Sequence, residues 1–162
     1  MRLFIAIQLS DEMKKALVAC MHDLKKQGVE GNYVPAQNLH MTLAFIGEYD
    51  DPGKVKEVIG KVPLPEFRIS LSEKGNFGNI LWAGVKGNQK LKTYVKDLRA
   101  ALAAEGIPVD KEKFVPHITL IRKCSAKKPY QFHLPKAEMT VKKASLMKSE
   151  QKNGKVTYKA IG

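Results

Sequence analysis

Two short stretches of the chain set a threonine two positions after a histidine and follow it at once with leucine: His40-Met41-Thr42-Leu43 and His117-Ile118-Thr119-Leu120. On a β-strand, alternation puts His40 with Thr42, and His117 with Thr119, on one face, and sends Met41, Leu43, Ile118 and Leu120 to the other. Each stretch then offers an imidazole beside a hydroxyl, anchored from behind by apolar side chains. Displacement at phosphorus runs roughly in line, so it benefits from a base on the attacking side and an acid on the leaving side. An imidazole with an unperturbed pKa near 6.5 serves in either role near neutrality. The hydroxyls of Thr42 and Thr119 can donate to non-bridging phosphate oxygens, and Arg122, at the end of the second stretch, is the cation placed to balance the charge that develops there.

The surroundings of the two motifs repeat as well. A strand at Phe4, a helix, Tyr33-Val34-Pro35 and His40 are matched by a strand at Trp82, a helix, Phe114-Val115-Pro116 and His117, with separations of 36 and 35 positions. The chain therefore reads as a duplicated unit whose halves pack around a pseudo-twofold axis. One departure is that Ala36-Gln37-Asn38-Leu39 separates Pro35 from His40, whereas Pro116 abuts His117.

The elements that must position these residues follow from local pattern. Residues 2 to 9 suit a strand; Ser10 then caps a helix that opens with Asp11 and Glu12, repeats Met13, Leu17, Cys20, Met21 and Leu24, and runs to about Gln27 before Gly28. Tyr33-Val34-Pro35 reads as a loop, His40 to Gly47 as a strand, and Asp51 with Pro52 as the start of a helix to about Val62. Strands are expected around Phe67 to Leu71 and Ile80 to Val85, with a Gly/Asn-rich turn between them. Leu91, Tyr94, Val95, Leu98, Ala101 and Leu102 make a helical stripe that ends at Gly106, and His117 to Ile121 is a strand. Tyr130 to Leu134, Ala137 to Lys148 and Val156 to Ile161 read as strands and connecting loops.

Composition bounds the rest. At 162 residues, with 44% hydrophobic and 27% charged side chains, the chain fits one domain, 1–162, with a buried core. The 28 Lys and Arg outnumber 16 Asp and Glu, and a formal charge of +12 favours a polyanionic partner. Cys20 and Cys124 have neither zinc-site nor disulfide-framework spacing. No apolar run approaches the roughly 20 residues of a membrane span. The expected setting is cytoplasmic, with no membrane partner. Asp50-Asp51 is the nearest approach to a metal-binding carboxylate pair, and Asp51 already has a role as helix cap, so no metal and no cofactor are expected.

The sequence resembles the two-histidine (2H) phosphoesterases, specifically the RNA 2′,3′-cyclic phosphodiesterases also called 2′-5′ RNA ligases. The resemblance covers nearly the whole chain and rests on Arg2-Leu3-Phe4-Ile5-Ala6-Ile7, Asn38 to Gly47, and Phe114 to Arg122. It implies a bilobal α+β fold, with two antiparallel sheets flanking a central cleft and helices outside. It implies His40 as proton donor to the 3′ leaving oxygen, His117 as the base that activates water, and a 2′-phosphate product. Run backwards, the same chemistry would join a 5′-hydroxyl to the cyclic phosphate without ATP. The implied partner is RNA with a 2′,3′-cyclic phosphate end, tRNA fragments among the candidates, and the implied state is a monomer.

Other readings stay open at this point. Tyr33 and Phe114 are either base-stacking or packing residues. His22 and His133 lack a partner motif and are expected at the surface. A 2H enzyme acting on a small cyclic phosphate is one rival. A non-catalytic RNA-binding module is the other, suggested by Lys74-Gly75-Asn76-Phe77-Gly78-Asn79-Ile80-Leu81, although Asn76 and Asn79 stand where that motif wants aromatics.

Overall fold

The computed structural model describes residues 1–162 and is α+β, with nine strands and three α-helices in the order β1 (Arg2–Gln8), α1 (Asp11–Lys26), β2 (Glu30–Tyr33), β3 (His40–Glu48), α2 (Pro52–Lys61), β4 (Phe67–Phe77), β5 (Ile80–Lys86), α3 (Gln89–Ala104), β6 (His117–Ser125), β7 (Glu138–Val141), β8 (Ser145–Lys152) and β9 (Lys155–Ala160). A short 3-10 turn, Ala36–Asn38, leads into β3. The strands form two antiparallel sheets, one ordered β3-β1-β8-β9 and the other β2-β6-β5-β4-β7, and the sheets meet where β3 lies beside β6.

The helices start where side chains can satisfy their first free amides. Ser10 Oγ accepts from Met13 N, Asp51 Oδ1 from Lys54 N, and Asn88 Oδ1 from Leu91 N. Each half of the chain builds on the other's sheet. Helix α1 reaches strand β7 of the second sheet, where Ser10 N meets Met139 Sδ, while Arg99 of α3 donates to the Leu43 carbonyl of β3 in the first. Strand β2 joins the sheet of the second motif, and β8 with β9 joins the sheet of the first. One continuous apolar core of 35 buried residues results, drawn from both sheets and all three helices. No helix is long and apolar enough to cross a membrane.

Three segments differ from the sequence-based expectation. Glu30–Tyr33, for which the sequence pattern predicts no strand, pairs with β6 as an edge strand, although its side chains are almost all exposed and give no alternating pattern. The strand begun at Phe67 runs on to Phe77, so the turn shrinks to Gly78-Asn79, with Gly78 at a φ of +59°. Tyr130 to Leu134 is not a strand. Its backbone is taken up by side chains: Gln27 bonds both the N–H and the carbonyl of Gln131, Lys74 Nζ donates to the Phe132 carbonyl, and Cys20 Sγ to that of His133.

Candidate active site

The two motif strands share one irregularity. In the pairing of β1 with β3, Ile5 faces Ala44 and Ala6 faces Thr42, which leaves Leu43 as an extra residue; in β5 with β6, Leu81 faces Ile121 and Trp82 faces Thr119, which leaves Leu120. Each strand thus bulges three residues after its histidine. Leu43 and Leu120 turn into the core, and the residue two further on, Phe45 or Arg122, emerges exposed. The carbonyl that each bulge frees from its ladder is met from the opposite half: Arg99 Nε and an Nη reach Leu43 O at 3.1 and 3.0 Å, and Val34 N reaches Leu120 O at 2.8 Å. Asp110 adds a second clasp on β3, its carboxylate accepting from Phe45 N and its own N–H donating to Phe45 O.

Both histidines are held in the same way. Nδ1 of His40 lies 2.7 Å from the carbonyl of Asn38, and Nδ1 of His117 lies 2.7 Å from that of Val115. A carbonyl only accepts, so each Nδ1 carries the proton and each Nε2 is left for chemistry. In this state His40 Nε2 is 2.9 Å from Thr42 Oγ1. Both side chains are half-buried.

Aromatic walls surround each imidazole. His40 lies 5.0 Å from the Phe4 ring and edge-on to Tyr158 at 5.1 Å; His117 lies edge-on to Phe77 at 5.1 Å and 5.7 Å from Trp82. The match of Phe4 with Trp82 carries the duplication into the walls. Trp82 in turn lies on Gly75, where a methyl group would collide with the indole.

Electrostatics ties the set together. Burial holds the His40 imidazole below its ordinary 6.5; the bond from its Nδ1–H to Asn38 opposes this, and the nearby Arg122 guanidinium and His117 imidazole add to the lowering. Arg122 and His117 of the second motif therefore act on His40 of the first. Tyr33 and Phe114 both pack against the core: the Tyr33 hydroxyl donates to Val29 O with Lys25 over its ring, and Arg99 covers Phe114. His22 and His133 are exposed. The sequence reading missed Tyr158 and Phe77 as neighbours of the histidines. Their signal was an exposed or half-exposed aromatic on a strand, legible only once the strand order is known.

The model of the 2′-5′ RNA ligase superfamily matches residues 8–153, a span that holds both motifs. The chain belongs to that superfamily. Within it, the protein is 33% identical over 132 residues to the RNA 2′,3′-cyclic phosphodiesterase of Thermotoga maritima, spanning 75% of this chain and 70% of that protein. It is 30% identical over 131 residues to the enzyme of the same name from Escherichia coli K12, spanning 76% and 73%. The crystal structure of E. coli LigT complexed with 3′-AMP superposes with a TM-score of 0.83 at 27% identity, covering 99% of this chain and 95% of that one. The bilobal two-sheet architecture is thus shared with a member of known structure along nearly the whole chain.

Proposed function

We propose that this protein opens the 2′,3′-cyclic phosphate at RNA ends. Water attacks phosphorus and gives its proton to His117 Nε2, the bond from phosphorus to O3′ breaks, and His40 Nε2 protonates O3′, leaving a 2′-phosphate and a 3′-hydroxyl. Thr42, Thr119 and Arg122 hold the non-bridging oxygens through donors that strengthen as charge accumulates. The observation that carries this reading is the duplicated histidine geometry, in which both Nδ1 atoms are fixed by carbonyls and both Nε2 atoms are left for proton transfer.

Relatives named RNA 2′,3′-cyclic phosphodiesterase at 30–33% identity support the substrate class. So does LigT's complex with 3′-AMP, a ribose that carries a terminal phosphate. The strain of the five-membered ring favours opening, so timed proton transfers suffice and no metal is required. The reverse reaction, attack of a 5′-hydroxyl on the cyclic phosphate, uses the same groups and no ATP. RNA fragments, those of tRNA included, are the intended substrates, and a monomer holds the complete site.

The deciding experiment incubates an oligonucleotide ending in 2′,3′-cyclic phosphate with the protein in excess chelator and locates the product phosphate by 31P NMR. A 2′-phosphate at undiminished rate is expected. A 3′-phosphate reverses the attacking geometry, and a rate that returns only with added divalent ion refutes the metal-free mechanism.

A further inference from the structure

His40 and His117 are held alike at Nδ1, but the carbonyls that hold them are not equally fixed. Val115, which serves His117, is exposed. Asn38, which serves His40, is 5% exposed and is one of only two buried polar residues in the molecule. Its side chain reaches across to the edge of the first sheet, where Nδ2 donates to the carbonyl of Val156 in β9 at 2.9 Å. A carbonyl accepts only, so the amide orientation follows from its partner. Its Oδ1 has no partner, which makes the bond to Val156 the single polar tie of this side chain.

Two residues further along β9, Tyr158 sets its ring edge-on to His40 at 5.1 Å and against Phe4 at 5.2 Å. The hairpin of β8 and β9 therefore meets the first histidine directly, through the Tyr158 ring edge-on to it, and indirectly, through the Val156 carbonyl that accepts from the side chain of Asn38, whose own carbonyl orients the imidazole.

We propose that Asn38 is a positioning residue for His40: its carboxamide latches the turn before β3 to β9 and so fixes the carbonyl that holds the imidazole in the Nδ1–H tautomer, with Nε2 aimed at the leaving oxygen. The role deepens the phosphodiesterase reading above and rests on it for its kinetic half. Nothing corresponds to the latch in the second half, where Pro116 joins Val115 directly to His117. Small losses of alignment at a reacting centre cost rate out of proportion to the displacement. Removing the latch is therefore expected to lower kcat while leaving substrate affinity in place.

The test combines Asn38→Ala and Asn38→Ser, the second keeping a polar group in the buried site, with 15N-resolved NMR of the imidazoles. In the wild type the His40 Nδ1 proton and the Asn38 carboxamide protons are expected to exchange slowly. In both variants the His40 pattern should move toward a mixture of tautomers while that of His117 stays unchanged. On a cyclic-phosphate oligonucleotide, kcat should fall on the order of tenfold with KM within about twofold. In a His40→Ala background, Asn38→Ala should cost nothing further. Fast exchange of the carboxamide in the wild type, an unchanged His40 tautomer in both variants, or an equal loss of rate in the His40→Ala background each overturns the proposal. The NMR readouts need no substrate, so they stand or fall separately from the assignment of the reaction.

Discussion

Each imidazole donates its Nδ1 proton to a carbonyl two residues upstream, so the protein spends a backbone acceptor on orientation and keeps Nε2 for the reaction. If both nitrogens serve as acid and base of one displacement, His40→Ala and His117→Ala should each lower turnover of a cyclic-phosphate RNA end by 10² or more. The double variant should lose little beyond either single one, since the pair acts as a unit. Retention of more than a tenth of the rate in either single variant removes that residue from the mechanism.

The depressed pKa of His40 fixes the sign of a second expectation. If His40 is the acid it must be protonated to act, so kcat/KM should decline as pH rises through a midpoint below 6.5. Once bound, the substrate's negative charge pulls that midpoint up in kcat. Arg122→Gln, which removes a repelling cation, should raise the His40 midpoint in an NMR titration of the free protein; an unmoved or lowered midpoint contradicts the placement of Arg122. The linkage to folding has the same origin. A folded pKa below the unfolded one contributes stability that is complete above about pH 6.5 and is lost as pH falls through the folded value.

At the scale of elements, the motif strands, helix caps and duplication were legible because each is a local pattern: alternation at His40 to Leu43 and His117 to Leu120, caps at Ser10 and Asp51, and a stripe along α3. The edge strand β2 was not, because Glu30-Gly31-Asn32-Tyr33 has no alternation of its own and owes its conformation to pairing with β6. Nor could local pattern place Phe77 and Tyr158 beside the histidines: Phe77 on β4 meets His117 of β6 across the intervening β5, and Tyr158 lies on β9, which joins the first sheet only after the chain has passed through the second. The stack of Trp82 on Gly75 gives this scale its own test. Gly75→Ala should force the indole off β4, costing about 1–3 kcal/mol as overpacking does. Because Trp82 is the only tryptophan and touches His117, the same change should shift intrinsic emission and lower kcat. A variant with unchanged emission and denaturation midpoint would show that the indole does not depend on that glycine.

For the molecule as a whole, the charge of +12 bears on substrate length. Counterion release makes binding of a polyanion weaken with salt in proportion to the phosphates neutralised. The KM for a cyclic-phosphate oligonucleotide should therefore rise steeply with ionic strength, while that for a cyclic mononucleotide should change little. Equal rates on both with no salt effect would favour a small cyclic phosphate as the target.

Because β2 of the first half completes the second sheet, and β8 and β9 complete the first, a backbone cut between Pro65 and Glu66 leaves neither fragment with an intact sheet. Fragments 1–65 and 66–162 should each be unstructured alone by circular dichroism and recover activity on mixing in a one-to-one ratio. A fragment that folds by itself would mean that the interleaving is dispensable. Wherever complementation succeeds, the enzyme behaves as an obligate heterodimer joined by a tether, and assembly of the two pieces is the event that brings the two histidines together.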